Sequence, residues 1–454
     1  MLLYFSISNW GMVKDSLSFS MIAQKEQAHS ERLRSLIKLN KRVLPVAAVY
    51  GPNASGKSTM VEALKFARAF ILFGIPNRRE RIARQFYRLD QRYKNKATQF
   101  DFIFETNGDI YEYRFSVDDE KVISEELKKI LASGEKIVFS RHLQELIEFN
   151  EPLKSSANAK AYFEGCAPNK LFVTNLASQG NRILEFLFDW FGRIFILKPN
   201  EIFNGFSQYS NEHSLLSQTG SSFFNKLGTG ICGFTAKEMT SGYPLIPEFI
   251  KENLQKNPNF EFPMPSPQGD LFVLRWDTKE EKLRVFQIQT SHQSTDGSLV
   301  SFNISAESDG TRRLMDLLPL FLSLHFSNRS HQPQVCFIDE MDRSLHPLML
   351  KRILSDYLNT LDQDWSAQLI FTTHNAELID QDILRRDEIC FLERNTEGSC
   401  QLSKLSDFRD GNGKAVRFDS LIRKRYLRGD FGGVPELPLL NLFELMDEEG
   451  SCHG

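Results

Sequence analysis

The spacing of hydrophobic and polar positions changes along the chain, and each change predicts a different element. Leu2 to Val13, LLYFSISNWGMV, alternates and predicts a strand. The polar, charged stretch from Gln24 to Arg42 predicts loop with some helix. Val43 to Tyr50, VLPVAAVY, is a short apolar run that ends at a glycine; Pro45 restricts its start, and the rest reads as a buried central strand. From Ser58 to Phe73 the period lengthens. Met60, Leu64, Ala67 and Ile71 recur at helical spacing and predict one apolar face packed on a sheet.

Gln99 to Val117 is the clearest hairpin. Phe100, Phe102 and Phe104 share a face, Asn107-Gly108 supplies a tight turn, and Tyr111, Tyr113 and Phe115 alternate on the return. Residues 125–265 carry a mixed pattern with runs such as ILEFLFDWF, Ile183 to Phe191, and predict a mainly helical insertion. Strand character returns at Leu271–Trp276 and Leu283–Gln289. No heptad pattern lasts long enough for an extended coiled coil. The 38 phenylalanines mostly reflect core, and a cluster of them on the insertion fits core or interface equally.

Composition removes several function classes. A quarter of the 454 residues is charged and the net charge is −3, so no bulk attraction to nucleic acid or anionic membrane is implied. The six cysteines show no C-x-x-C pair and no Cys/His ligand spacing, which argues against a disulfide scaffold or zinc site and fits a reducing cytoplasm. The opening MLLYFSISNW lacks the basic and apolar regions of a signal peptide. The most apolar stretch, Leu314 to Phe326, is too short to span a bilayer and contains Asp316, Pro319 and His325. A cytoplasmic protein with no membrane partner is expected.

Candidate chemistry starts at Gly51-Pro52-Asn53-Ala54-Ser55-Gly56-Lys57-Ser58, an unbroken G-x-x-x-x-G-K-[ST] between a predicted strand and a predicted helix. Gly51 and Gly56 permit angles that turn successive N–H groups toward phosphate oxygens, and the helix start adds partial positive charge. Asn53, Ala54, Ser55 and Thr59 complete the cradle; Lys57 is placed for the β- and γ-phosphates and Ser58 for Mg²⁺. A chance glycine-rich turn is the bland alternative, and the strand–loop–helix context disfavours it.

Three further motifs gain weight beside that loop. Val335 to Glu340 is an apolar strand ending in two acids: Asp339 suits Mg²⁺, directly or through water, and Glu340 suits a general base acting on water. Leu369 to His374 is another apolar strand, ending in a histidine placed for the γ-phosphate or the water. Alone, such acids and such a histidine are usually solvated or satisfied polar groups. Glu307 to Arg313 precedes a helical run, so Ser308 and Gly310 can grip a phosphate through hydroxyl and N–H groups; standing alone it reads as an ordinary N-cap.

These four motifs, in this order, resemble the ABC-type ATPase family, which includes the SMC and RecF heads. The resemblance implies an α/β fold, an ABC-type P-loop ATPase head with an antiparallel β lobe and the mainly helical insertion. It divides the chain into 1–124 with the phosphate loop, 125–265 as the insertion, and 266–454 with the remaining motifs. It implies ATP and Mg²⁺ as ligands and hydrolysis to ADP and phosphate. Gly51 to Ser58 look like the family's phosphate loop, and Ser308, Gly310 and Thr311 like its signature. Asp339 and Glu340 look like its Mg²⁺ acid and catalytic base, His374 like its switch histidine, and Ser344-Leu345-His346-Pro347 like its dimer-contact loop. In that family one subunit's signature completes the other's nucleotide site, so a head-to-head dimer of this chain is implied. Two departures stand out: Ser308-Asp309-Gly310 is looser than the transporter signature, and the glutamine loop is either Gln85 or Gln99.

A narrower resemblance covers most of the chain. SISNW, ESDGTRRLMDLLP, IDEMDRSLHP and YLRGDFGGVP look like the OLD-related ATPases, common in bacterial anti-phage systems. OLD proteins carry a TOPRIM nuclease after the ATPase. Here eighty residues follow His374, too few to finish the head and build an independent core. The Asp-Gln-Asp triplets at Asp362 and Asp380 read as solvated turns. The resemblance therefore implies a homo-oligomer controlling a separate TOPRIM nuclease effector, released by a phage trigger protein. Two other readings stay open. One is a RecF-type repair ATPase touching DNA through Arg78-Arg79-Glu80-Arg81 and Arg423-Lys424-Arg425, which otherwise read as solvated faces. The other is a non-catalytic ATP sensor.

Overall fold

The computed structural model describes residues 1–199, 201, 215–395, 397–409 and 421–434, with 215–218 by backbone alone. The chain opens with β1 (Leu2–Ser8) and β2 (Leu17–Ser20), then a ribbon of β3 (Arg34–Leu36) and β4 (Lys41–Val43). β5 (Val46–Tyr50) and α1 (Lys57–Phe73) flank the glycine-rich loop. A meander follows: β6 (Thr98–Thr106), β7 (Asp109–Val117), β8 (Val122–Leu131), β9 (Gly134–His142) and β10 (Glu145–Phe149). Helices α2 (Ala159–Glu164), α3 (Phe172–Ser178) and α4 (Glu185–Gly192) lead to β11 (Ile194–Leu197). Next come α5 (Leu215–Lys226), β12 (Ile231–Met239), α6 (Glu248–Lys256), β13 (Phe262–Pro265), β14 (Leu271–Asp277), β15 (Lys282–Gln293) and β16 (Leu299–Asn303). The remainder is α7 (Asp309–Arg329), β17 (Gln334–Ile338), α8 (Pro347–Asn359), β18 (Ala367–Thr373), β19 (Ile389–Arg394), β20 (Cys400–Lys404) and α9 (Ile422–Leu427).

The central sheet runs β11-β17-β18-β5-β19-β20 and is parallel except for β20. All five residues of β5 are buried, because its two faces feed two cores. Ala47 and Val49 join Met60, Leu64, Ala67 and Ile71 of α1. Val46, Ala48 and Tyr50 join Leu314, Leu317 and Leu350 of α7 and α8. That double burial is why the segment reads as one continuous apolar run.

The second sheet is antiparallel, in the order β10-β9-β8-β7-β6-β1-β2. The β6–β7 hairpin closes at Asn107 (φ 52°) and Gly108 (φ 75°), two left-handed residues whose twist matches paired strands. Its register sets Phe100 opposite Phe115, Phe102 opposite Tyr113 and Phe104 opposite Tyr111. A third sheet, β12-β15-β14-β13 with β16 beside β15, feeds the α7 core through Leu271, Val273 and Ile288.

Two sequence expectations are corrected. The stretch 125–265 is not mainly helical: it mixes α2 to α6 with β8 to β13, and position 125 lies inside β8. Strand β8 was hidden because its buried face carries Glu125, which breaks apolar alternation. That carboxylate accepts from Arg141 Nε (2.8 Å), Tyr113 OH (2.9 Å) and the N–H groups of Phe172 (2.7 Å) and Val173 (3.1 Å). The polar stretch 24–42 contains the β3–β4 pairing as well as short 3₁₀ turns. Among the described residues no helix is long and apolar enough to cross a membrane. Cys452 and Pro435, the end of YLRGDFGGVP, lie outside the described residues; the other five cysteines are free.

Candidate nucleotide site

β5 delivers the chain to Gly51 at the carboxyl end of the parallel strands, where open α/β sheets bind ligands. The loop turns through two left-handed residues, Ala54 (φ 62°) and Gly56 (φ 108°), before α1 begins at Lys57. Both glycines are also required by close approach. A Cβ on Gly51 would overlap the Leu392 carbonyl on β19, and one on Gly56 would overlap Cys400 Sγ on β20. Asn53, Ala54 and Ser58 are exposed, while Ser55 and Lys57 are buried. The Ser55 hydroxyl is buried without a hydrogen-bond partner.

Lys57 Nζ folds back and donates to the carbonyls of Gly51 (2.7 Å) and Pro52 (3.0 Å). Burial pulls its pKa down to about 8, against the opposing fields of Asp339, Glu340 and Asp342. A buried ammonium held only by neutral carbonyls is suited to exchange them for phosphate oxygens. Thr59 packs against Gly11, whose Cβ position lies 2.7 Å from Thr59 Cγ2 and whose N–H donates to the Gln85 carbonyl (2.6 Å). Of the two glutamine candidates, Gln85 thus has its main chain beside the loop, while Gln99 sits on β6 opposite Ser8 and Ser116.

The two acids follow β17, one strand removed from β5. Asp339 is buried and accepts the Thr372 hydroxyl at 2.6 Å; the same hydroxyl accepts the Glu340 N–H at 2.8 Å. Glu340 leaves the strand with φ 49° and is partly exposed. On β18, Thr373 pairs with Tyr50, so His374 leaves the sheet level with Gly51. Its N–H donates to Asp342 Oδ2 (3.1 Å). Burial, then the nearby Lys57 charge, hold its imidazole pKa below the ordinary value, which favours the neutral ring at neutral pH. The hard oxygen donors Ser58 and Asp339 suit Mg²⁺. Among the described residues no cluster of three or more His, Cys, Asp or Glu forms a metal cage.

The Ser308 turn, the candidate signature, is where helix-capping physics places it. Ser308 is the N-cap of α7: its Oγ accepts the Thr311 N–H (3.1 Å) and bonds Thr311 Oγ1 (2.9 Å). Ser308 is exposed and Gly310 partly so. A Cβ on Gly310 would lie 2.7 Å from the Ser344 carbonyl, so the turn packs directly on the Ser344–Pro347 loop. Among the described residues no hydrogen bond or ion pair joins Ser308–Thr311 to Gly51–Thr59 of the same chain. The Asp362 and Asp380 triplets are turns, each first carboxylate accepting the N–H two residues on (2.8 and 2.9 Å).

Three residues of the site carried no sequence signal of their own. Thr372 lies within an apolar strand, Asp342 lies two residues past Glu340, and Arg313 looks like a surface helix residue. Arg313 is instead buried and donates to the carbonyls of Asp339 (3.2 Å) and Glu340 (3.1 Å). Only the strand order, which brings β17, β18 and α7 together, makes them neighbours of the loop.

Fold and site together define a P-loop ATPase domain of the AAA/ABC kind. The chain belongs to the family described as "AAA domain, putative AbiEii toxin, Type IV TA system", whose model matches residues 46–380, from the start of β5 past His374. Among solved structures it is similar to the SMC head domain from Thermotoga maritima, at 12% identity and a TM-score of 0.35, covering 89% of this chain and 98% of that one. It is also similar to an SmcHead bound to the C-winged helix domain of ScpA, at 12% identity and a TM-score of 0.38, covering 89% and 97%. No curated protein matches it in sequence.

Proposed function

We propose that the chain binds ATP with Mg²⁺ and hydrolyses it to ADP and phosphate between two copies of itself. The observation that carries this reading is the convergence on one loop of Lys57, the Asp339–Thr372–Glu340 network and His374. In this reading the loop amides and Lys57 hold the triphosphate, and Ser58 and Asp339 hold Mg²⁺, which neutralises charge on the phosphate oxygens. Glu340 takes a proton from water as the water oxygen bonds to the γ-phosphorus and the bond to the bridging oxygen breaks. His374 contacts the γ-phosphate, and Ser308, Gly310 and Thr311 of the facing copy close the site.

The nucleotide state is proposed to control a separate nuclease in cytoplasmic anti-phage defence. This is supported by the OLD-like motifs and by a family description that names a toxin of a toxin–antitoxin system. The PARIS defence ATPase AriA, which holds a TOPRIM effector, AriB, until a phage protein triggers release, is the arrangement proposed. Direct DNA binding is the weaker reading: half of the six cations in its two clusters are already paired, Arg81 with Asp119, Arg423 with Glu377 and Arg425 with Asp430.

Glu340→Gln should trap ATP and shift the protein to a dimer in light scattering, while Lys57→Ala should bind no ATP. Affinity purification of the Glu340→Gln chain from cells carrying its neighbouring genes should retain a nuclease. A monomer under saturating ATP would overturn the shared site, and a dimer that never retains a nuclease would overturn the defence role alone.

A further inference from the structure

Arg313 sits in the first turns of α7, five residues after the exposed Ser308 cap. The residue is 4% exposed. Nη2 donates to the carbonyls of Asp339 and Glu340, while Nε and Nη1 are buried with no hydrogen-bond partner. Among the described residues no carboxylate forms an ion pair with it. Asp316, one turn further on, is the acid whose field it feels most, yet burial raises that carboxyl to about 7 and leaves it only partly charged at neutral pH. Among the described residues, two main-chain carbonyls are the whole of its hydrogen bonding. Buried cations are ordinarily paired or fully bonded, so the two idle nitrogens need an explanation beyond packing.

The position of the two carbonyls supplies one. They belong to the peptides that carry Asp339 and set Glu340 in its left-handed conformation. The N-cap of the same helix is Ser308, with Gly310 packed on the Ser344 carbonyl.

We propose that Arg313 is a positioning residue: from the first turns of α7 it holds the two peptides that aim its own chain's Glu340. This rests on the shared-site reading above.

Mixed dimers isolated through two different tags test this. One chain carries Lys57→Ala, so it lends a signature and binds no nucleotide; the other holds the single loaded site. Arg313→Met on the loaded chain should lower kcat about 100-fold, the scale of a misplaced reacting group, with KM within about twofold. The same substitution on the Lys57→Ala chain should lower the rate far less, since that chain's own Glu340 faces no nucleotide. Arg313→Lys on the loaded chain keeps a donor for the carbonyls and should recover to within about tenfold of the unsubstituted rate. Melting curves check that each variant folds. Equal loss in both placements, or no loss in either, overturns the positioning role. A mixed dimer with intact Arg313 and no hydrolysis at all overturns the shared-site reading itself, a distinct outcome.

Discussion

The Thr372 hydroxyl donates to Asp339 Oδ1 at 2.6 Å while accepting the N–H of Glu340 at 2.8 Å. One oxygen on β18 thus fixes both a buried carboxylate and the peptide of Glu340, the proposed base, across two adjacent strands. Thr372→Val removes that oxygen and leaves two buried groups unpaired. Stability should fall by about 1–3 kcal/mol and kcat by about tenfold or more, with Thr372→Ser close to the parent. Chemical denaturation and steady-state ATPase rates measure the two effects, and an unchanged kcat for the valine variant would contradict the role.

Lys57 makes nucleotide binding pH-dependent. Burial lowers its pKa from the ordinary 10.5 to about 8, and a triphosphate favours the charged form, so the bound state holds the proton to higher pH. Below about pH 7 the lysine is charged in both states and affinity should not vary on its account. Above pH 8 the free protein loses the proton that the complex retains. The association constant should then fall about tenfold per pH unit until the bound-state value is reached. Calorimetry in buffers of different ionisation enthalpy should show proton uptake at pH 9, and constant affinity to pH 10 would rule the assignment out.

Gly56 is held between a left-handed backbone and the Cys400 side chain. Gly56→Ala should abolish measurable ATP binding, because the loop must move to admit the methyl group. Adding Cys400→Ala relieves the overlap but not the backbone cost of about 1–3 kcal/mol, so binding should return only in part. Full recovery in the double variant would show that the φ of 108° is not needed.

Away from the loop, Glu125 and Arg141 form a buried pair at 2.7 Å between β8 and β9. Arg141→Met strands a carboxylate that still holds the start of α3, and should cost about 3–5 kcal/mol in urea unfolding while leaving ATP affinity unchanged. A loss below 1 kcal/mol would mean that Glu125 is satisfied by its neutral donors alone.

Legibility in the sequence followed burial. β5, α1, β17, β18 and the β6–β7 hairpin could be read because each buries uniformly apolar or strictly periodic faces, and the loop because its glycines and lysine fall at fixed spacing. Strand β8 could not be read, since Glu125 occupies a core position that only a distant Arg141 and the α3 amides make tolerable. Thr372 and Arg313 were missed for a related reason. Their partners lie 33 and 26–27 residues away, so their roles exist only once the strand order is known. The Ser308 turn shows the limit from the other side: its capping bonds are local and readable, but whether it grips a phosphate depends on a second molecule.

The central claim, a nucleotide site shared between two copies, is tested most directly by mixing two inactive chains. Lys57→Ala keeps the signature and loses the phosphate loop, while Ser308→Arg keeps the loop and blocks the signature. Each alone should hydrolyse no ATP. Mixed in equal amounts, they should regain a substantial part of the parent rate, because one site in each mixed dimer combines an intact loop with an intact Ser308 turn. A mixture that exchanges subunits yet stays as inactive as its components would contradict the account.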